Sequence, residues 1–100
     1  MLGYEYHPDA EAEYHAAIRY YSRIRAELGM SFVTEVEKGV ERARLFPEAH
    51  RKISGDLRRV LTRRFSYHII YEVLENQVFI WAVAHTGRKP GYWKDRLQGG

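Results

Sequence analysis

Residues 57 to 92 read LRRVLTRRFSYHIIYEVLENQVFIWAVAHTGRKPGY, and the period of this stretch decides the fold. Leu57 to Phe65 alternates, while Tyr67 to Leu74 and Val78 to Ala84 are apolar at nearly every position and rich in Val, Ile, Tyr, Phe and Trp. Three β-prone runs separated by short polar breaks predict an antiparallel meander. The second and third runs read as central strands covered on both faces. Glu75-Asn76-Gln77 is the hairpin connection between them, with Asn76 suited to a positive φ. In the first run Leu57, Arg59, Leu61, Arg63 and Phe65 share one face, and Arg58, Val60, Thr62 and Arg64 share the other. Arginine occupies both, so the alternation leaves open which face is exposed.

Working outward toward the N-terminus, Glu48 to Asp56 reads as a loop with its turn at Gly55-Asp56. Before it, Met30, Val33, Val36, Val40, Ala43 and Phe46 recur at spacings of three and four, a helix ended by Pro47. An earlier helix is expected from Pro8, with Ala10, Tyr14, Ala17, Ile18, Tyr21, Ile24 and Leu28 as its stripe. Gly29 is its expected left-handed stop, and so short a connection makes the two helices an antiparallel hairpin. Leu2 to Tyr6 alternates as a short strand ended by His7-Pro8-Asp9. At the other end, His85 to Leu97 contains Gly87, Pro90 and Gly91 and reads as an irregular tail, with Gln98 to Gly100 frayed. The expected order is β-α-α-β-β-β, an α+β fold with a helical hairpin packed on a small, mainly antiparallel sheet.

One hundred residues make one domain, here residues 1 to 97. The chain has no cysteine, which excludes a disulfide framework and thiol catalysis. Five histidines without other ligands at suitable spacing do not form a metal motif, and no cofactor motif is present. Acidic residues interrupt the first twenty positions, so no secretory leader is expected. No run approaches the roughly 18 apolar residues of a membrane span, and a cytoplasmic location is expected. The net charge of +3 is unevenly spread: residues 1 to 41 carry eight acidic and four basic groups, whereas residues 42 to 64 carry eight basic and two acidic. Such a block faces nucleic acid or an acidic protein surface, or is simply a solvated basic face.

Several phrases in this order resemble the RelE/ParE superfamily of type II toxin–antitoxin toxins, the plasmid stabilisation proteins. They are His7-Pro8-Asp9-Ala10, Gly29 with Phe32, Phe46-Pro47, Leu57-Arg58-Arg59, Arg64-Phe65, Tyr67 to Tyr71, Val83 to Thr86, Arg88-Lys89-Pro90 and Tyr92-Trp93. The resemblance implies the fold already read from the periodicity and a cognate antitoxin partner, in a toxin–antitoxin hetero-oligomer, whose acidic amphipathic tail orders on the toxin. It also implies one of two cellular targets: DNA gyrase, inhibited by a protein contact, or the ribosome with its mRNA, cut without a metal. A third outcome is a toxin-derived binding domain without toxicity.

For RNA cleavage the chemistry needs a base, an acid and cations around the phosphate. Tyr92 matches the C-terminal tyrosine of the nuclease branch, but His68 and Thr86 stand where that branch carries arginines. The ending from His85 to Trp93 is similar to the ParE side. If the chain is a nuclease, His85, Tyr92 and Arg64 are the catalytic candidates, with Arg88, Arg63 and Lys52 as further substitutes for the missing cations. The candidates for target or antitoxin binding are Arg58, Arg59, Arg63, His68, Arg88, Lys89 and Trp93. Some of the arginines are expected to pair with Glu35, Glu37 or Glu41. His85 also reads as a histidine satisfying a carbonyl at the sheet edge, His68 as a packed histidine, and Tyr92 and Trp93 as closing the core.

Overall fold

The computed structural model describes residues 1–98. Eight elements follow one another: β1 (Gly3–Tyr6), α1 (Pro8–Ile24), α2 (Ala26–Leu45), β2 (Arg51–Ser54), β3 (Leu57–Leu61), β4 (Tyr67–Leu74), β5 (Gln77–His85) and α3 (Lys94–Gln98). The strands form one sheet in the order β1-β5-β4-β3-β2, with β1 parallel to β5 and every other pair antiparallel. The α+β architecture and the helical hairpin are as expected.

Helix α1 begins at Pro8, and the His7 imidazole caps it by accepting the Asp9 N–H at 3.0 Å. It ends earlier than the stripe predicts. Arg25 is extended (φ −168°, ψ 136°) and separates the two helices by a single residue. Gly29 is therefore not a left-handed stop but an interior residue of α2. Its absent side chain has another cause: a Cβ there would lie 2.0 Å from Ser22 Oγ and 3.1 Å from Ser22 Cα on α1. Gly39 plays the same part against the sheet, since its Cβ would lie 2.7 Å from Ile69 Cδ1. With the glycines included, the buried stripe of α2 is Gly29, Phe32, Val36, Gly39, Val40 and Ala43. Met30 and Phe46, expected on that stripe, are exposed.

Three further expectations change. The predicted loop contains β2, an exposed edge strand hairpinned to β3 through Gly55 (φ 55°). The sequence Arg-Lys-Ile-Ser has no apolar alternation because an edge strand of this kind buries almost nothing. The first meander strand stops at Leu61, and Phe65 and Ser66 turn the chain with positive φ. That turn is held by Thr62, which bonds Tyr67 in both directions through backbone and hydroxyl. Glu35 accepts the backbone N–H groups of Arg63 and Arg64. The tail also carries a short helix, α3, which includes Gln98; Gly99 and Gly100, expected to fray with it, lie outside the described residues. The Glu75-Asn76 hairpin is as expected, with both residues at positive φ.

The sheet is covered on both faces, unequally. Toward the helices, Ile69 and Tyr71 of β4 and Val78, Ile80 and Val83 of β5 pack against Ala10, Tyr14, Phe32, Val36 and Val40. Phe32, Phe65, Tyr21 and Tyr67 interlock there, with centroids 4.8 to 6.3 Å apart. The far face holds a smaller cluster of Leu57, Ile70 and Ala82 beneath Trp93. Between Ile70↔Ala82 and Tyr71↔Ile80 the register skips Trp81, a bulge that keeps both sets of residues facing inward.

Gly29→Ala should lower stability by about 1–3 kcal/mol through overpacking, although alanine is the better helix former. Ser22→Ala in the same chain should restore part of the loss by removing the hydroxyl. Thermal unfolding of the single and double variants checks both.

Candidate functional site

Strand β5 is nine residues long, yet β1 pairs with only four of them, Gln77 to Ile80. The His7 N–H extends the ladder by one bond to the Ile80 carbonyl. Beyond it the edge of β5 needs other partners, because unpaired buried backbone groups are costly. Side chains supply them. Glu13 Oε1 of α1 accepts the Val83 N–H at 3.1 Å, and Arg96 of α3 donates to the Trp81 carbonyl at 2.8 Å.

Glu13 and Arg96 also grip each other through two parallel hydrogen bonds of 3.0 and 2.7 Å, both side chains about 15% exposed or less. The Tyr92 hydroxyl donates to the second Glu13 oxygen. Arg88 lies 3.7 Å from that oxygen and stacks 3.8 Å above the Tyr92 ring. One carboxylate on α1 thus ties down three residues of the tail. Burial works against its charge, but hydrogen bonds from Arg96, Tyr92 and the Val83 amide prevail and hold the Glu13 carboxyl below the usual carboxylate range. Burial and the Glu13 hydrogen bond push the Tyr92 phenol well above its ordinary value.

Held in this way, the tail walls a cleft of about 680 Å³ on the far face of the sheet. Ile53, Ser54, Leu57, Arg59 and His68 come from the strands, and Thr86, Arg88, Pro90, Trp93, Lys94 and Leu97 from the tail. His68 packs edge-on to Trp93 with centroids 6.1 Å apart. Burial, then the charge of Arg59 and the nearby His85, lowers the His68 pKa and keeps the ring neutral. His68 Nδ1 and Trp93 Nε1 are buried without a hydrogen-bond partner among the described residues.

The structure brings together four of the residues singled out for binding: Arg59, His68, Arg88 and Trp93 line the cleft. Arg58 points the other way and donates to the carbonyls of Glu48 and His50. The expected ion pairs of Arg58, Arg59, Arg63 or Arg64 with Glu35, Glu37 or Glu41 are not formed among the described residues: Arg58 bonds carbonyls, and Glu35 takes the backbone N–H groups of Arg63 and Arg64. Arg63 and Arg64 sit in the β3–β4 loop, where Arg64 borders a shallow depression with Glu27, Met30 and Thr34. Lys52 is exposed on β2, and Lys89 is exposed in the tail. His85 accepts the Gly87 N–H through Nδ1 and faces the α1 side, beside Glu13 and Arg88. His85 and Tyr92 thus both border Glu13 and Arg88, whereas Arg64 lies apart in the β3–β4 loop. Neither Glu13 nor Arg96 was singled out from the sequence. The signal was present in one of them: Glu13 is a carboxylate on the apolar stripe between Ala10 and Ala17.

Two results should follow from the Glu13 cluster. Glu13→Ala, which leaves Arg96 buried and unpaired, should cost about 3–5 kcal/mol in thermal unfolding, with Glu13→Gln milder. A carboxyl whose pKa is depressed on folding stabilises fully above its unfolded value, about 4, and loses that contribution as pH falls through the folded pKa. Tryptophan emission should therefore report an acid transition of the tail below about pH 4, absent in Glu13→Gln.

Comparison with known proteins agrees with this geometry. A family model described as the ParE toxin of the type II toxin–antitoxin system parDE matches residues 4–90. A solved structure titled as the chromosomal ParDE system from P. aeruginosa superposes with a TM-score of 0.72 at 16% identity, covering 85% of this chain and 96% of that one. The isolated E. coli RelE toxin superposes with a TM-score of 0.66 at 17% identity, covering 98% of each chain. No curated protein matches in sequence. No helix among the described residues is long and apolar enough to cross a membrane. The family match spans α1, α2 and, but for Gly3, every strand of the sheet, and the chain belongs to the ParE toxins of type II toxin–antitoxin systems.

Proposed function

We propose that this toxin acts in the cytoplasm as a ParE-like inhibitor of DNA gyrase, through a protein contact rather than catalysis, and that a cognate antitoxin neutralises it in a hetero-oligomer. The observation that supports this reading over RNA cleavage is the placement of Tyr92. Its hydroxyl is bonded to Glu13 on the α1 side of the tail, and its proton is held more tightly than in free tyrosine. A general acid or base needs a pKa near the working pH and a path to the substrate. At the two positions where the nuclease branch carries arginines, the cleft has Thr86 and a His68 whose pKa burial lowers. The contact surface for gyrase is the tail from His85 to Trp93, with Arg88 and Lys89 exposed on it and Trp93 anchoring it to the sheet.

The nuclease reading keeps one observation in its favour, a cleft with Arg59 and Lys94 and no carboxylate on its walls. The two readings separate in one experiment. Purified toxin should inhibit supercoiling by gyrase, and its induction in cells should trigger DNA-damage signalling before translation slows. Tyr92→Phe should leave both effects in place. Cleavage of ribosome-bound message that Tyr92→Phe abolishes would establish the nuclease instead. Unimpaired growth at high expression would leave only a binding domain.

A further inference from the structure

We infer that the far-face cleft is the seat of an acidic, partly apolar peptide segment, which places one carboxylate on Arg59 and an adjacent aliphatic side chain against Leu57 and Leu97. The inference rests on the reading of this chain as a toxin held by a protein antitoxin, and it assigns the site at which that partner is gripped.

Charge is the first argument. None of the residues lining the cleft is acidic. Arg59 is half-buried on its floor and makes no hydrogen bond or ion pair among the described residues. Of its neighbours, Arg58 is engaged with carbonyls and Arg88 with Glu13 and Tyr92, while Arg51, its partner across the β2–β3 pair, is exposed. A half-buried guanidinium without a partner has lost hydration that a planar carboxylate restores by two parallel bonds. The wall beside it repeats the deficit. Trp93 is only 7% exposed, yet its indole N–H has no acceptor, and His68 Nδ1 is likewise buried and unpaired. Each such group destabilises the fold until it is satisfied. The three groups stand on one side of the same cleft.

Shape and polarity choose the occupant. The remaining lining is largely apolar, and Leu61, 48% exposed, continues that surface beside His68 on the same face of β3. A nucleic acid would need phosphate-spaced cations and an open aromatic face for stacking. Here Trp93 is the one aromatic ring on the wall, and it is buried edge-on to His68. Arg59 and Lys94 set among aliphatic side chains, with Arg88 already leaning on Glu13, match a peptide in which acidic and aliphatic residues alternate.

The test uses the full chain and a capped Leu-Glu-Leu-Glu-Leu peptide, followed by amide chemical shifts. The peptide should shift amides of β2, β3 and α3. Replacing its glutamates by glutamine, or the toxin's Arg59 by glutamine (Arg59→Gln), should weaken binding at least tenfold. Arg58→Gln, on the opposite side of the strand, should not. Single-stranded RNA and inorganic phosphate should fail to displace the peptide. The inference is overturned by the absence of shifts at millimolar peptide, by equal binding to Arg59→Gln, or by displacement with RNA. Because binding is read without toxicity, a toxin that inhibits gyrase but ignores the peptide refutes this site alone. Peptide binding by a chain that inhibits nothing would instead remove the gyrase reading and keep the site.

Discussion

The grip of Glu13 on Arg96 solves a problem set by unequal strand lengths. β5 outruns β1 by five residues, and an exposed strand edge in that position would invite pairing with another chain. Covering it with a carboxylate and a guanidinium needs both charges to be largely withdrawn from water. That is tolerable only because each satisfies the other while also bonding the strand. The consequence reaches the far face. With Arg96 anchored, Trp93 is laid over Leu57, Ile70 and Ala82, and the central strands become buried on both sides.

The block of positive charge between residues 42 and 64 does not form one surface. Arg42, Arg44 and Arg58 are spent within the molecule, each on backbone carbonyl oxygens. Arg63 and Arg64 mark a loop whose backbone is fastened to Glu35. Arg59 alone reaches the cleft floor. A guanidinium with five donors is well suited to binding carbonyls at chain ends, so a local excess of arginine in a small domain measures loose ends as much as partners.

The parts of the fold legible in the sequence were those in which burial writes a period. β4 and β5 are covered on both faces and read as continuous apolar runs; α1 begins where Pro8 and an acidic first turn say it should. The parts that were not legible bury little or break the rule locally. β2 is an exposed edge with no apolar signature. Arg25 ends α1 through tertiary packing of the two helices, with no helix breaker at that position. Gly29 signals a gap in the chain's volume in the same letter that elsewhere signals a turn. Of the site, Arg59, His68, Arg88 and Trp93 were found through charge and aromatic character. Glu13 was missed because its partners lie some 70 to 83 residues away, and only the fold brings them together.

The same cluster explains why a tyrosine near the end of the chain is a poor guide to chemistry. Its role depends on which side of the tail its hydroxyl faces, and that side is chosen by α1. Glu13 draws the Tyr92 hydroxyl to the helix layer, and Arg88 closes over the ring. Trp93, the next residue along, is then turned to the opposite face, where it becomes the wall of the cleft. One carboxylate on the first helix thus sorts two adjacent aromatic residues, one into the helix layer and one into the wall of the cleft. A chain with the same tail but an apolar residue in place of Glu13 would have no such reason to keep the tyrosine out of the cleft.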